Sequence, residues 1–237
     1  MTEGANFAAE EAGAIPTFGE GETRQNSLIN AQNGGVPSLI SYPTRPIQGG
    51  KLDRAPKKIG LWYAQPKYNG WRAVVHCPSG AMWSRHGGRL SIAGEFSIAL
   101  GELKKLSKAG LIWADCEALE RRHNVGRRSL IVLDWIPDSE SPNYEERREF
   151  LQSLLPLERM SLGEGTMPED SVLLAPSIAE TNGQALRLYR SLEAINRSVL
   201  ADVFEGVVMK RAVSAYPVQL RSPDEKCRFW QKHRFLM

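Results

Sequence analysis

From Ile59 onward the chain is written in short apolar runs that end in turn-forming residues, and this texture constrains the fold more than anything else in the 237 residues. The runs are IGLWYAQ, RAVVH, AMWSR, LIWADCEAL, LIVLDWI, SVLLAP and EGVVMKR, each of the length and residue type of a strand. Helical spacing appears where Phe150, Leu151, Leu154 and Leu155 recur at intervals of three or four, and again at Leu188, Leu192, Ile195 and Val199. A third helix is expected over 95–108. Strands outnumber helices and do not alternate strictly with them, which predicts an α+β domain of mainly antiparallel sheets flanked by helices.

The N-terminal part reads differently. Residues 1–37 are rich in Gly, Asn, Glu and Ala without periodicity, as in a mobile tail. The domain proper is expected over 38–237, with an irregular lead-in from Tyr42 to Lys58 marked by prolines and paired glycines. Charge follows the same division. The net charge is +3, but residues 1–30 hold one base against five acids, which leaves a basic body suited to a polyanionic partner. No window approaches the roughly 18 to 20 apolar residues of a membrane span, and the N-terminus has no signal-peptide pattern, so a cytoplasmic protein without membrane contact is expected. Cys77, Cys116 and Cys227 lack C-x-x-C spacing and read as reduced packing residues. The four histidines, His76, His86, His123 and His233, have no metal-ligand spacing.

The segment Gln65-Pro-Lys-Tyr-Asn-Gly-Trp-Arg72 admits two readings. Asn-Gly between apolar runs signals a β-hairpin turn, which would leave Lys67 as a solvated strand-end residue. Alternatively the turn fixes Lys67 as a nucleophile and Arg72 holds a nucleotide. A lysine nucleophile makes a physical demand, since a free ammonium is neutral in only about one molecule in 2,500 at pH 7. Lowering its pKa by about 3 units, at roughly 4 kcal/mol, needs nearby cations.

The remaining motifs supply those cations, and together they carry a resemblance. KYNGWR resembles the K-x-D-G-x-R signature of the covalent nucleotidyltransferases, the superfamily of ATP-dependent DNA ligases, RNA ligases and mRNA capping enzymes. Ser84-Arg85-His86-Gly87 resembles its S-R-x-G element, Asp115-Cys116-Glu117 its D-G-E, Leu130 to Trp135 its aromatic-Asp strand, Glu205 to Lys210 its E-G-x-x-x-K, and Trp230 to Arg234 its W-x-K-x-K. The resemblance implies an ATP-grasp-like adenylation domain in which Lys67 takes AMP from ATP, Arg72 and Arg85 contact nucleotide and nucleic-acid phosphates, and Glu117 holds the ribose. It implies that Glu205 places Mg²⁺ or Mn²⁺, that Lys210, Lys232 and Arg234 sit on the α-phosphate, and that Gln65 reads adenine.

Departures from the pattern are Asn69 for Asp, Cys116 for Gly, Arg234 for Lys, and Leu133 where an aromatic ring would stack on the base. Trp135, two residues on, shares the face of Leu133 on a regular strand, so it either substitutes for that ring or packs in the core. The basic stretch Arg121 to Arg128 is either a solvated hairpin tip or a nucleic-acid contact. Glu146-Arg147-Arg148-x-x-Leu151 resembles a helix of DNA ligases, which favours an ATP-dependent DNA ligase acting on nicked duplexes over an RNA ligase, a capping guanylyltransferase or a non-catalytic nick-binding domain. On this reading the protein is a monomer without an OB-fold domain, which a separate OB-fold protein would supply in trans.

Overall fold

The computed structural model describes residues 43–137, 142–218 and 225–235; the tail reading of residues 1–37 lies outside them. In chain order the strands are β1 (Arg45–Gln48), β2 (Trp62–Tyr68), β3 (Trp71–His76), β4 (Ala81–Ser84), β5 (Trp113–Leu119), β6 (Ser129–Ile136), β7 (Val172–Leu174), β8 (Ile178–Ala179), β9 (Phe204–Arg211) and β10 (Lys226–Arg234). The helices are α1 (Ser97–Leu106), α2 (Tyr144–Leu154) and α3 (Gln184–Val199), at the three places where the sequence predicts them. The start of α2 is fixed by a capping box: Asn143 accepts from the Glu146 N–H while Glu146 accepts from the Asn143 N–H.

The strands form two five-stranded sheets, ordered β1-β10-β9-β2-β8 and β4-β3-β5-β6-β7. Only the β1–β10 and β6–β7 pairs are parallel, so the expected α+β class with mainly antiparallel pairing holds. Alternation along the strands decides what each face meets. In the second sheet Ala73, Val75, Cys116 and Val132 turn outward onto Phe96, Leu103 and Leu151. In the first, Trp62, Ala64, Val207 and Met209 pack on Leu188 and Leu192 of α3. A third cluster around Trp83, Trp113 and Trp230 joins the two sheets. The three cysteines are buried and unpaired. Among the described residues no helix is long and apolar enough to cross a membrane.

The hairpin reading of Asn69-Gly70 does not hold. β2 pairs with β8 and β9, whereas β3 pairs with β4 and β5, so this two-residue connection crosses from one sheet to the other. The Asn69 N–H donates to Val203 O (2.9 Å) and its Nδ2 to Asp202 O (2.8 Å), anchoring the turn to the entrance of β9. Gly70 is needed for close approach: a Cβ there would lie 2.6 Å from the Ala118 carbonyl and 2.8 Å from Glu117 Cγ.

Two β-bulges interrupt the ladders. Lys67 faces Gly206 and Tyr68 faces Phe204, leaving Glu205 as the extra residue in β9. Asp115 faces Asp134 and Cys116 faces Val132, leaving Leu133 extra in β6. An extra residue inverts the alternation beyond it.

Candidate active site

The inner faces of the two sheets enclose a cavity of about 480 Å³, within the roughly 300–1,000 Å³ of small-molecule sites. Nine of the ten residues singled out from the sequence line it: Gln65, Lys67, Arg72, Arg85, Glu117, Glu205, Lys210, Lys232 and Arg234. They come from both walls, with Gln65 and Lys67 on β2 in one sheet and Arg72 and Glu117 on β3 and β5 in the other.

Lys67 Nζ donates to Glu205 Oε2 at 2.5 Å, and Arg234 Nη2 lies 3.1 Å from the same oxygen. The bulge makes this possible, because it turns Glu205 to the cavity although Val208 and Lys210 beyond it also face inward. Gly206 carries φ +141°, and a Cβ on it would meet the His233 carbonyl at 1.9 Å. Burial works to raise the Glu205 pKa, but Lys67 and Arg234 outweigh it and hold the carboxyl below its ordinary range. Glu117 behaves in the opposite way. Burial pushes it up to about 7, against the pull of Lys67, Arg72 and the Gly70 N–H, which donates to Oε1 at 3.0 Å.

Arg72 is clamped from behind. Its Nε and Nη2 donate to the two oxygens of fully buried Asp115 at 2.8 and 2.5 Å, and Tyr216 donates to Asp115 at 3.0 Å. Burial disfavours the guanidinium charge, but Asp115 more than restores it. Lys232 has no such compensation. Burial, then Arg234, Lys67 and Arg85, lower it to about 8. Gln65, only 3% exposed, donates from Nε2 to Leu133 O (3.1 Å), which leaves Oε1 as its acceptor end. The bulged Leu133 carbonyl also accepts from Lys210 Nζ at 2.8 Å.

Trp135 is the exception among the sequence candidates. It does not share the face of Leu133, because the bulge at Leu133 inverts the alternation and turns the indole outward, 4.4 Å from the ring of Phe150. Of the two readings of Trp135, the structure supports core packing; Leu133 lines the cavity.

The arginines of the 121–128 stretch separate. Arg121 pairs with Glu95 (2.6 Å), Arg127 with Glu120 (2.7 Å), and Arg128 with Asp170 and Glu169 (2.7 and 2.9 Å), whereas exposed Arg122 lines the cavity. Nothing in the sequence distinguishes it from its neighbours. Asp134 and Arg147, which stand behind Lys210, were equally hidden among strand and helix residues.

Among the described residues no group of three or more His, Cys, Asp or Glu side chains could hold a metal ion. The donor set at the cavity, Glu205 with Glu117 nearby, fits a hydrated Mg²⁺ held by one or two carboxylates and substrate phosphates, not an ion caged by protein alone.

No protein-family model matches the sequence, nor does any curated protein. Solved structures do match. An archaeal ATP-dependent RNA ligase superposes with a TM-score of 0.52 at 16% identity, over 78% of this chain and 49% of that one. A structure described as Pmar-Lig_Pre gives 0.51 at 14% identity, over 83% and 47%. Mycobacterial DNA ligase D complexed with ATP and MES gives 0.49 at 19% identity, over 82% and 60%. The chain thus spans about half to three-fifths of the solved chains it matches. The superpositions above 0.5 establish the fold alone: the chain shares its α+β architecture with the archaeal ATP-dependent RNA ligase and with Pmar-Lig_Pre.

Proposed function

We propose that the chain is an ATP-dependent polynucleotide ligase that works through a lysyl-AMP intermediate on Lys67. The single observation that supports this best is the placement of the Lys67 amine: it stands in a cavity between a carboxylate that accepts its hydrogen bond, Glu205, and the cations Arg72, Lys210, Lys232 and Arg234. Phosphoryl-type transfer asks for alignment and for positive charge on the equatorial oxygens, and the cations lining the cavity offer that charge. Lys67 Nζ attacks the α-phosphorus, a P–N bond forms, the bond to the bridging oxygen breaks and pyrophosphate leaves. The amine's proton has Glu205 as its hydrogen-bond acceptor. AMP then passes to a 5′-phosphate end with cleavage of the P–N bond, and a 3′-hydroxyl displaces AMP to close the strand. Glu205 would hold Mg²⁺ or Mn²⁺, which supplies charge neutralisation at the phosphates. On this reading Glu117 would hold the ribose, Gln65 the base, and Arg85 and Arg122, which also line the cavity, nucleic-acid phosphates.

DNA is the proposed acceptor, supported by the Glu146-Arg147-Arg148-x-x-Leu151 pattern of α2. The test is incubation with ATP or GTP labelled at the α-phosphate and a divalent metal, then a chase with nicked DNA or nicked RNA duplexes. Labelled protein with release into sealed DNA supports the reading, and release only into RNA transfers it to RNA ligation. Lys67→Ala and Lys67→Arg should both abolish the covalent, alkali-stable and acid-labile adduct, because arginine keeps the charge but offers no neutral amine. Label on a different lysine would defeat the assignment.

A further inference from the structure

Behind Lys210 lies a buried chain of three charges that the proposed chemistry leaves unexplained. Arg147 of α2 and Asp134 of β6 have no exposed surface, and Lys210 has 2%. Arg147 donates from Nε to Asp134 Oδ1 (2.8 Å) and from Nη2 to Oδ2 (3.3 Å), and from Nη1 to the carbonyls of Pro142 (2.6 Å) and Ser214 (3.0 Å). The Trp135 N–H also donates to Oδ1 (3.0 Å), and Lys210 Nζ lies 3.1 Å from Oδ2.

A carboxylate offers about four acceptor sites. At Asp134 Arg147 takes two, the Trp135 amide one and Lys210 one. The ammonium therefore spends one N–H on Asp134 and one on Leu133 O, and one remains on the cavity side. The charges add up likewise. Arg147 and Asp134 cancel, so the positive charge of Lys210 is not consumed by its nearest anion. Take Arg147 away and the carboxylate is free to rotate fully onto Lys210, pulling it back from the cavity and forming a neutral pair.

We infer that Arg147 is a positioning residue: acting through Asp134, it sets where the Lys210 ammonium sits and keeps its charge available to an anion in the cavity. The part of this that concerns phosphate transfer rests on the function proposed above; the part that concerns Lys210 itself does not. Lys210 is faced by Asp134 from β6, Asp115 from β5, and Arg147 and Tyr144 from α2, with Arg72 of β3 behind Asp115 and the rings of Trp230 and Tyr144 at 4.4 and 4.8 Å. Burial holds its pKa below the ordinary lysine range despite the two aspartates, and Arg147 pushes in the same direction as burial.

The test uses the full chain with lysines labelled by ¹³C at Cε, the Lys210 resonance being assigned by its loss in Lys210→Arg. In Arg147→Met, which keeps an apolar stem and removes the fork, the Lys210 titration midpoint should move up by about one pH unit. Single-turnover self-adenylation should fall by 10- to 100-fold, and the same substitution in a Lys210→Met background should cost almost nothing further. A merely structural Arg147 would lower the melting temperature, leave the Lys210 midpoint in place and give losses that multiply; that outcome overturns the inference. If Arg147→Met does not melt cooperatively, Arg147→Lys is read the same way, since it keeps the charge without the two-pronged hold on Asp134: a displaced Lys210 resonance supports the inference and an unmoved one refutes it. A parent protein that never labels with ATP would refute the proposed ligase activity, while the titration would still decide the role of Arg147.

Discussion

Gly206→Ala should damage both stability and chemistry, and the structure sets the size of the effect. The residue has φ +141° and a Cβ there would stand 1.9 Å from the His233 carbonyl, 2.9 Å from its carbon and 3.0 Å from Arg234 Cα. All three contacts are backbone, so no side chain can swing aside. A residue forced into this sparsely populated region costs about 1–3 kcal/mol, and overpacking a closed site costs about 1–3 kcal/mol more. The sum, about 2–6 kcal/mol, lowers Tm by roughly 4–24 °C at the 2–4 °C per kcal/mol usual for a domain of this size. Relief would require β9 and β10 to part where Gly206 faces Arg234, carrying Arg234 and Glu205 out of register with Lys67. Self-adenylation in the surviving folded fraction should therefore fall at least 10-fold. Calorimetry and single-turnover labelling measure the two effects, and Gly94→Ala, where an added Cβ meets nothing within 4 Å, is the control. A Gly206→Ala protein that melts within about 2 °C of the parent and labels at the parental rate would refute the account of the bulge.

Three further outcomes are expected. ATP affinity should be full below pH 8 and fall above it, because Lys232, lowered to about 8 by burial and neighbouring cations, binds phosphate only when protonated; the loss should reach about 10-fold near pH 9 if only the charged form binds, and Lys232→Arg should flatten the titration. ATP should label the protein in preference to GTP if the proposed role of Gln65 holds, since with its nitrogen held by Leu133 O its Oε1 would accept from the exocyclic amine of adenine; equal labelling by GTP would remove Gln65 as the base reader. Arg122→Ala should leave self-adenylation within about twofold but weaken nicked-duplex binding and reduce its salt exponent by about 0.9, one phosphate contact, whereas Arg128→Ala, which loses partners in Asp170 and Glu169, should change stability and leave that exponent unchanged.

The seven strands read from apolar runs, the three helices and the gathering of nine candidate residues round one cavity were legible because alternation and motif order are properties of the chain itself, whereas β1, which lies inside the expected irregular lead-in, and the two-residue β8 were not. What escaped depends on partners distant in sequence. The exchange of faces at Leu133 is set by how β6 aligns with β5, so counting two residues from Leu133 to Trp135 gave the wrong side. Asn-Gly suggested a hairpin because the residues that β2 and β3 pair with come later in the chain. Arg147 reads as one of several arginines on a charged helix, and only the fold shows it fully buried on Asp134. Arg122 stands apart from Arg121, Arg127 and Arg128 only because Glu95, Glu120, Glu169 and Asp170 restrain the other three.

The crossing at Asn69-Gly70 has a mechanical consequence. Lys67 and Arg72, five positions apart, stand on opposite walls of one cleft, so the covalent chain between them acts as a ruler that limits the gap. Its length has no slack: Asn69 is tied by backbone and side chain to the entrance of β9, and Gly70 is pressed against β5. Inserting one residue between Tyr68 and Gly70 would lengthen the ruler by up to about 3.5 Å, more than a hydrogen bond, and would let the walls drift apart while each sheet stayed intact. The short motif is thus a dimension of the cleft as much as a set of side chains.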